Sequence, residues 1–339
     1  MENLGNSLMV PTEHFYKHNL LTELDSAIRS SNAINDDAII LNCLDIKPLT
    51  DDVPGGQRFT LDYNIEPLSP VNLVLPQHII NRYLDTFYFI WKIKRCESVL
   101  ANVWMGSVPL RKQDLPNVAF SVLHLSFLMR LEMENFVATL QHHVYFEVLE
   151  RNWSVFSEKL KNAQSIDDVI SAHEELTVNL ITRTFLDPDV ASLEVKSILM
   201  QLFEIIYQFE KLHVQYSEDL SFSLANYRDV VANIDLWNME GEFGGDVAGL
   251  ESKKIKIFTE ICEKSGVAQN LLNEHSRKFK ILISQLISSM NKIRDQSLKF
   301  FTFKLDFNSY YRGSDELALE EEFSPITKDF LRFLIVLLI

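Results

Sequence analysis

Between Leu115 and Ala163 the chain has no glycine and a single proline, Pro116, at the start of the stretch. Apolar residues recur there at i+3 or i+4. Met133, Phe136, Leu140, Val144 and Val148 set the pattern, and Trp153, Phe156 and Leu160 carry it on. That spacing predicts one amphipathic helix, roughly 70 Å long if continuous at 1.5 Å rise per residue. A helix of that length needs several neighbours to cover it, so it fixes the fold class. Only 10 Gly and 10 Pro occur in 339 residues, and 47% of the chain is hydrophobic with 23 Phe. Turns are therefore scarce and elements long. The expectation is an all-α chain, an elongated stack of helical bundles with a small β-hairpin-like insertion. No repeat of 20 to 50 residues is visible, which disfavours a regular solenoid.

Taken in order, Thr12 to Ser31 reads as an amphipathic helix with Phe15, Leu20, Leu24 and Ile28 on its stripe. Ala38 to Leu44 is too short for periodicity to separate helix from strand. After the Pro54-Gly-Gly56 turn, Phe59, Leu61, Tyr63 and Ile65 alternate strictly, the best strand signal in the chain, with Val71 to Leu75 as a candidate partner strand. Gln77 to Met105 is apolar around most of its circumference and is expected to be buried between neighbours. Ser165-Ile-Asp-Asp168 resembles a capping box opening a helix to Phe185. Asp187-Pro-Asp189 breaks the chain. Further helices are expected from Val190 to about Asp235 and from Ala268 to about Phe301, separated by a glycine-rich loop at Gly241 to Gly249.

Charge and composition exclude several function classes. The net charge of −15 repels phosphate backbones and anionic lipid surfaces, and no basic stripe offsets it, so no nucleic-acid partner is expected. The densest basic cluster, Lys92-Ile-Lys-Arg95, reads as a solvated helix face. Cys43, Cys96 and Cys262 are odd in number and widely spaced, which fits buried thiols in a reducing compartment rather than disulfides or a zinc site. The N-terminus carries no signal-peptide pattern, and no run reaches the length of a transmembrane segment. The apolar end, Phe330 to Ile339, reads as a docking segment or a weak anchor.

Catalytic signatures are scarce. His143 and Glu147 lie at i, i+4 with Glu150 a turn beyond, and Glu210-Lys-Leu-His213 has the Glu-x-x-His spacing of a dinuclear carboxylate site. The Glu-x-x-His motif stands alone, and HExxH and GxSxG do not occur. The glycine-rich loop lacks both phosphate-binding spacings. Neither an enzyme nor a cofactor is expected, and a scaffold or binding module is.

Five strings in order resemble the gamma-tubulin complex component family. They are Glu2-Asn-Leu-Gly5 with Tyr16 to Leu20; Phe59-Thr-Leu-Asp-Tyr63 with Pro67, Tyr83, Phe87 and Trp91 to Arg95; Gln141 to Glu150 with Trp153; Ile166 to Glu174 with Arg183 and Leu186-Asp187; and Leu298 to Asn308. The resemblance covers residues 1 to 312 and leans toward the third component of the complex. Asp315 to Ile339 departs from the pattern. The resemblance implies the gamma-tubulin-binding C-terminal half of the family plan, without most of the half that makes lateral contacts.

It implies three regions: residues 1–56 as the end of an upstream helical region and linker, 57–312 as the gamma-tubulin-binding helical domain, and 313–339 as a divergent tail, acidic then apolar. It also implies gamma-tubulin and other complex components as partners. The implied location is the cytoplasm and cytoskeleton, at a microtubule-organising centre such as a centrosome or spindle pole. The expected contact surface is the exposed polar residues near the small sheet and along the helix ends beside it, namely Arg82, Asp85, Gln141, His142, Tyr145, Asp306, Asn308 and Tyr311. The alternative is a helical-rod subunit of another assembly, such as a vesicle-tethering complex, which needs only the long helices and the acidic surface.

Overall fold

The computed structural model describes residues 17–30, 44–48, 59–63, 73–111, 113, 115–187, 189–240, 247–293 and 296–311. The chain is all-α with a small two-stranded sheet. In order it forms α1 (Lys17–Arg29), β1 (Leu44–Pro48), β2 (Phe59–Tyr63), α2 (Gln77–Arg111), α3 (Asn117–His142), a π-helical segment (His143–Glu150), α4 (Arg151–Asn162), α5 (Ile166–Arg183), α6 (Val190–Glu240), α7 (Val247–Lys292) and α8 (Gln296–Leu305). Cys43, Pro54 to Gly56, most of the glycine-rich loop and the apolar C-terminus lie outside the described residues.

The long helix predicted over Leu115–Ala163 runs without a break, but its centre is π-helical. The burial pattern explains the unwinding. Leu140, Val144, Val148, Asn152 and Phe156 are all buried at a strict spacing of four. In an α-helix each four-residue step drifts about 40° around the axis. The i→i+5 bonds of a π turn take up an extra residue per turn and cancel that drift. The seam therefore keeps facing the core. Trp153 and Leu160, expected on this stripe, leave it and stand exposed, and Asn152 takes the place of Trp153. The Asn152 amide is satisfied by donating to the Val148 carbonyl at 2.6 Å.

α6 and α7 make the most extensive helix pair, and α6 is 51 residues long, about 75 Å. α2 packs on α6 and α3, and α3 packs on α7. One continuous core joins them. Phe136 of α3 meets Phe279 of α7 edge-on at 6.0 Å, and Phe89 of α2 meets Phe203 of α6 at 6.4 Å. His213 lies inside the bundle where α2, α3 and α6 meet. Ser107 gives its proton to the Val103 carbonyl at 2.6 Å, so it accepts from His213 Nε2 at 2.9 Å. Nδ1 then accepts from the Ser126 hydroxyl at 2.8 Å, and the ring is neutral.

Several boundaries differ from expectation. β2 pairs antiparallel with β1, in register Ile46 to Leu61; of the expected partner Val71–Leu75, residues 71 and 72 lie outside the described residues. Leu73 to Leu75 instead lead into α2, whose first turn is opened by the Pro76 carbonyl, and the Val74 carbonyl is occupied by His173. The pairing joins residues on either side of position 56. The sheet and α1 pack on α2 through Ile46, Leu61, Leu24, Phe87 and Trp91.

The last long helix starts at Val247, not Ala268. Gly249 and Gly266 are carried within it, and nothing crowds the position a Cβ would take at Gly266. A separate short helix, α8, follows it. Lys92, Lys94 and Arg95 are half-buried between helices rather than on a solvated face. Lys92 reaches Met200, and Arg95 covers the Tyr207 ring at 4.7 Å.

The capping box at Ser165 forms as expected. Its hydroxyl accepts from the Asp168 N–H, and the Asp168 carboxylate accepts from the Ser165 N–H. At the other end of α5 the Leu186 and Phe185 N–H groups return to the Ile181 and Thr182 carbonyls, a Schellman closure. Phe185 occupies its left-handed position at φ 59°.

Candidate interaction surface

α2 is the frame of the candidate surface, because three neighbours meet along one run of its turns. Near its start Arg82 donates to Thr177 of α5 at 3.3 Å. Tyr83 bonds His173 of α5 at 2.8 Å. His173 Nδ1 must donate to the Val74 carbonyl, so Nε2 is the acceptor of the Tyr83 proton. Burial pushes the Tyr83 hydroxyl up to about 12 and lowers the His173 imidazole, so both are neutral at physiological pH. Asp85 is exposed. Burial raises its carboxyl and the nearby Lys196 charge opposes the shift.

Further along α2, Lys94 and Glu97 meet the start of the π segment. Glu97 accepts from Lys94 at 2.8 Å and from Gln141 at 2.7 Å. Burial raises the Glu97 carboxyl, but these two bonds outweigh it and hold it below the usual range. The Lys94 ammonium lies 5.5 Å from the centre of the Tyr145 ring. His142 stands at the surface against Phe146, edge-on at 4.7 Å. Gln141 and Tyr145 therefore share one cross-helix cluster with Lys94 and Glu97, with His142 beside them.

The π segment, α2, α4 and α5 enclose a cleft of about 360 Å³. Tyr83 and Tyr145 form part of its wall, Leu149, Leu176 and Leu180 its apolar lining, and Glu150 and Trp153 complete it. Trp153 is 60% exposed and Phe146, nearby on the π segment, 55%.

His143 and Glu147 are taken up by different partners. His143 is buried among rings, 6.5 Å from Phe185 and 5.2 Å from Phe301. Glu147 lies nearer the surface, 3.7 Å from Arg151. Among the described residues no group of three or more His, Cys, Asp or Glu is placed to hold a metal ion. Cys96 is fully buried, which drives its thiol up to about 12.

The remaining expected contacts form a second group after α8. Asp306, expected at the surface, is buried, and its carboxylate accepts the Tyr311 N–H at 3.0 Å. It fastens the turn after α8. Tyr311 is half-buried against the core, and burial raises its hydroxyl. Only Asn308 of the three is fully exposed. Beside them lies a set that sequence reasoning missed. The Tyr310 hydroxyl donates to Glu132 of α3 at 3.2 Å and accepts from Lys280 of α7 at 2.5 Å. The hidden signal was long-range pairing between three segments, which periodicity does not report.

Comparison with known proteins assigns the lineage. Residues 1–311 match the family described as gamma tubulin complex component C-terminal. The chain belongs to the gamma-tubulin complex component family. It is 29% identical over 323 residues to the gamma-tubulin complex component 3 homolog of Xenopus laevis and 28% identical to human gamma-tubulin complex component 3, each covering 93% of this chain. It is 27% identical to the spindle pole body component alp6 of Schizosaccharomyces pombe over 92% of this chain. The chain spans about a third of the length of these curated relatives. The matched region includes both groups of surface residues described above. Among the described residues no helix is long and apolar enough to cross a membrane.

Proposed function

We infer that this chain is a non-catalytic scaffold that binds gamma-tubulin and helps template microtubule nucleation at a microtubule-organising centre. The observation that carries this reading is the family match over residues 1–311. The name of one relative, a spindle pole body component, supports the location at a spindle pole or centrosome. Gamma-tubulin and other components of the complex are the partners in this reading. Arg82, Asp85, Gln141, His142, Tyr145, Asn308 and Tyr311 supply contacts at the surface, and Asp306 holds the turn that presents the last two.

The physical role is preorganisation. Nucleation is slow because free subunits lose translational and rotational freedom before enough contacts form to offset the loss. Holding each gamma-tubulin on a stiff component, and the components in fixed array, removes that cost in advance and raises the effective concentration of neighbours. Helices of 46 and 51 residues packed along one core suit a stiff holder. No chemical step by this chain is required. The test is retention of purified gamma-tubulin by the purified chain, followed by size analysis of the complex. Retention in a defined stoichiometry is expected. A sample with full helical content that retains none would overturn the reading.

A further inference from the structure

We propose that the outer face of α3 is the seat of this chain's own apolar C-terminal run, residues 330–339, which lie outside the described residues. Nine of those ten residues are apolar, and Arg332 is the exception. Such a run is driven out of water. It is half the roughly 20 residues that a membrane-spanning helix needs. It therefore calls for a protein surface to cover it.

α3 offers that cover. Met129, Met133 and Phe136 face the core, while Phe120, Leu128 and Leu131 stand on the other side, Phe120 54% exposed and Leu128 47%. With His124, which stacks on the Phe120 ring, they follow at i+4 and i+3 and so share one face. α2 widens the strip. Trp104 packs on Phe127 of α3 at 5.7 Å, and Met105 beside it is 62% exposed. An apolar strip of this kind marks a contact surface. From Phe120 to Leu131 the helix rises about 16 Å, and a ten-residue run wound as a helix is about 15 Å long.

Where the described chain ends selects the occupant. Tyr311 is its last residue, and the hydroxyl of Tyr310 is bonded to Glu132, on the flank of this same face. Residues 312–329 then lead to the run and reach up to about 60 Å when extended, several times the length of the face. A segment joined to the chain at the rim of its own seat meets it at an effective concentration on the order of millimolar. Charge agrees. Beside the face Glu134 is paired with Arg130 at 2.8 Å and Glu132 with Lys280 at 3.6 Å. Arg111, 5.2 Å over the Phe127 ring, has no ion pair among the described residues, so one positive charge is left over. Residues 312–329 carry six acidic side chains and two basic ones, with Glu320, Glu321 and Glu322 in a row. The leader is therefore attracted to the edge that Arg111 marks.

The test is hydroxyl-radical footprinting of the full chain, read by mass spectrometry, and it needs no partner protein. A double variant, Leu334→Asp with Leu337→Asp, unseats the run. Phe120, Leu128 and Met105 are expected to be labelled several-fold more in it than in the unaltered chain. Phe222, on an exposed face of α6, is expected to be labelled equally in both. Leu128→Asp changes the seat from the other side and is expected to raise labelling of Phe330 and Phe333. Arg111→Glu is expected to raise labelling of the face, by less as salt is added. Circular dichroism checks that each variant keeps its helical content. Equal labelling of the face in the unaltered chain and the double variant overturns the seat. Protection that fades on tenfold dilution makes the occupant a second copy and overturns it as well. Flotation of the unaltered chain with neutral phosphatidylcholine vesicles, lost in the double variant while the face stays equally labelled, makes the run a lipid anchor instead. An unchanged footprint in Arg111→Glu overturns the part given to charge.

Discussion

The Phe185 ring lies against the buried imidazole of His143, with centroids 6.5 Å apart and planes 22° from parallel. Phe185 reaches that position from a left-handed backbone conformation, where a residue with a Cβ costs about 1–2 kcal/mol. The chain accepts the strain because the ring closes α5 onto the π segment. Removing the ring should cost about 3–5 kcal/mol in Phe185→Ala. Phe185→Gly loses the same ring but relieves the backbone, so it should be about 1 kcal/mol more stable than the alanine variant. Urea unfolding of the two side by side checks the order, and an alanine variant equal to or more stable than glycine would count against strain at this site.

His213 makes stability depend on pH. Burial lowers its pKa from its ordinary 6.5 to about 4, so the folded state binds fewer protons than the unfolded state between those values. Stability therefore rises with pH there. The contribution is complete above about pH 6.5 and is lost as pH falls toward 4. By pH 5 the loss is about 2 kcal/mol. Denaturation at pH 7 and pH 5 measures it. In His213→Asn, which keeps a polar group among the serines but does not titrate, the difference between the two pH values should shrink by a similar amount. His173, lowered in the same direction by burial, leaves a smaller residual slope.

Gly266 sits inside α7 with open space where a side chain would go. Alanine there loses less backbone entropy on folding and meets no neighbour. Gly266→Ala should stabilise the chain by about 0.5–1 kcal/mol, read as a higher denaturation midpoint with unchanged slope. Gly106 in α2 meets the same conditions and should respond in the same direction.

Asp306 and Asn308 separate a structural role from a contact role within three residues. Asp306→Ala leaves the Tyr311 N–H without its acceptor and removes a buried carboxylate from its setting. A loss of about 1–3 kcal/mol is expected, with faster amide hydrogen exchange at Tyr311. Asn308→Ala changes an exposed side chain and should leave stability within about 0.5 kcal/mol. Any change it makes in gamma-tubulin binding then reports on contact alone.

The sequence carried the helices clearly because their signal is local. The 3.6-residue period of α2 and α3, the Ser165 capping box and the break at Asp187 to Asp189 need no knowledge of distant partners. What it did not carry depends on pairing. Phe59 to Tyr63 was legible as a strand, but its pairing with Leu44–Pro48 was not, because a strand's own alternation does not name its partner. Gly249 was placed in the loop and the last helix was expected from Ala268, yet α7, packed against α6, runs through Gly249 and Gly266. The π segment has no glycine or proline to mark it. Its only trace is the four-residue spacing of buried positions from Leu140 to Phe156, and that reads as an ordinary α stripe until Asn152 replaces Trp153 on the inside. The surface residues were partly legible: Gln141, His142 and Tyr145 lie together, whereas the burial of Asp306 could not be seen without the chain around it.

The unwound turns at His143 to Glu150 also fix what kinds of mutation this chain tolerates. Substitutions there alter one contact each. Were the eight residues to rewind as an α-helix with none lost, the extra residue that the π turns absorb would swing everything beyond them by about 100°. Phe156 would then leave the core, Trp153 would leave its cleft, and the Lys159 to Glu175 pair between α4 and α5 would part. The winding of that octet, more than the spelling of any one of its residues, aims α4 at its neighbours.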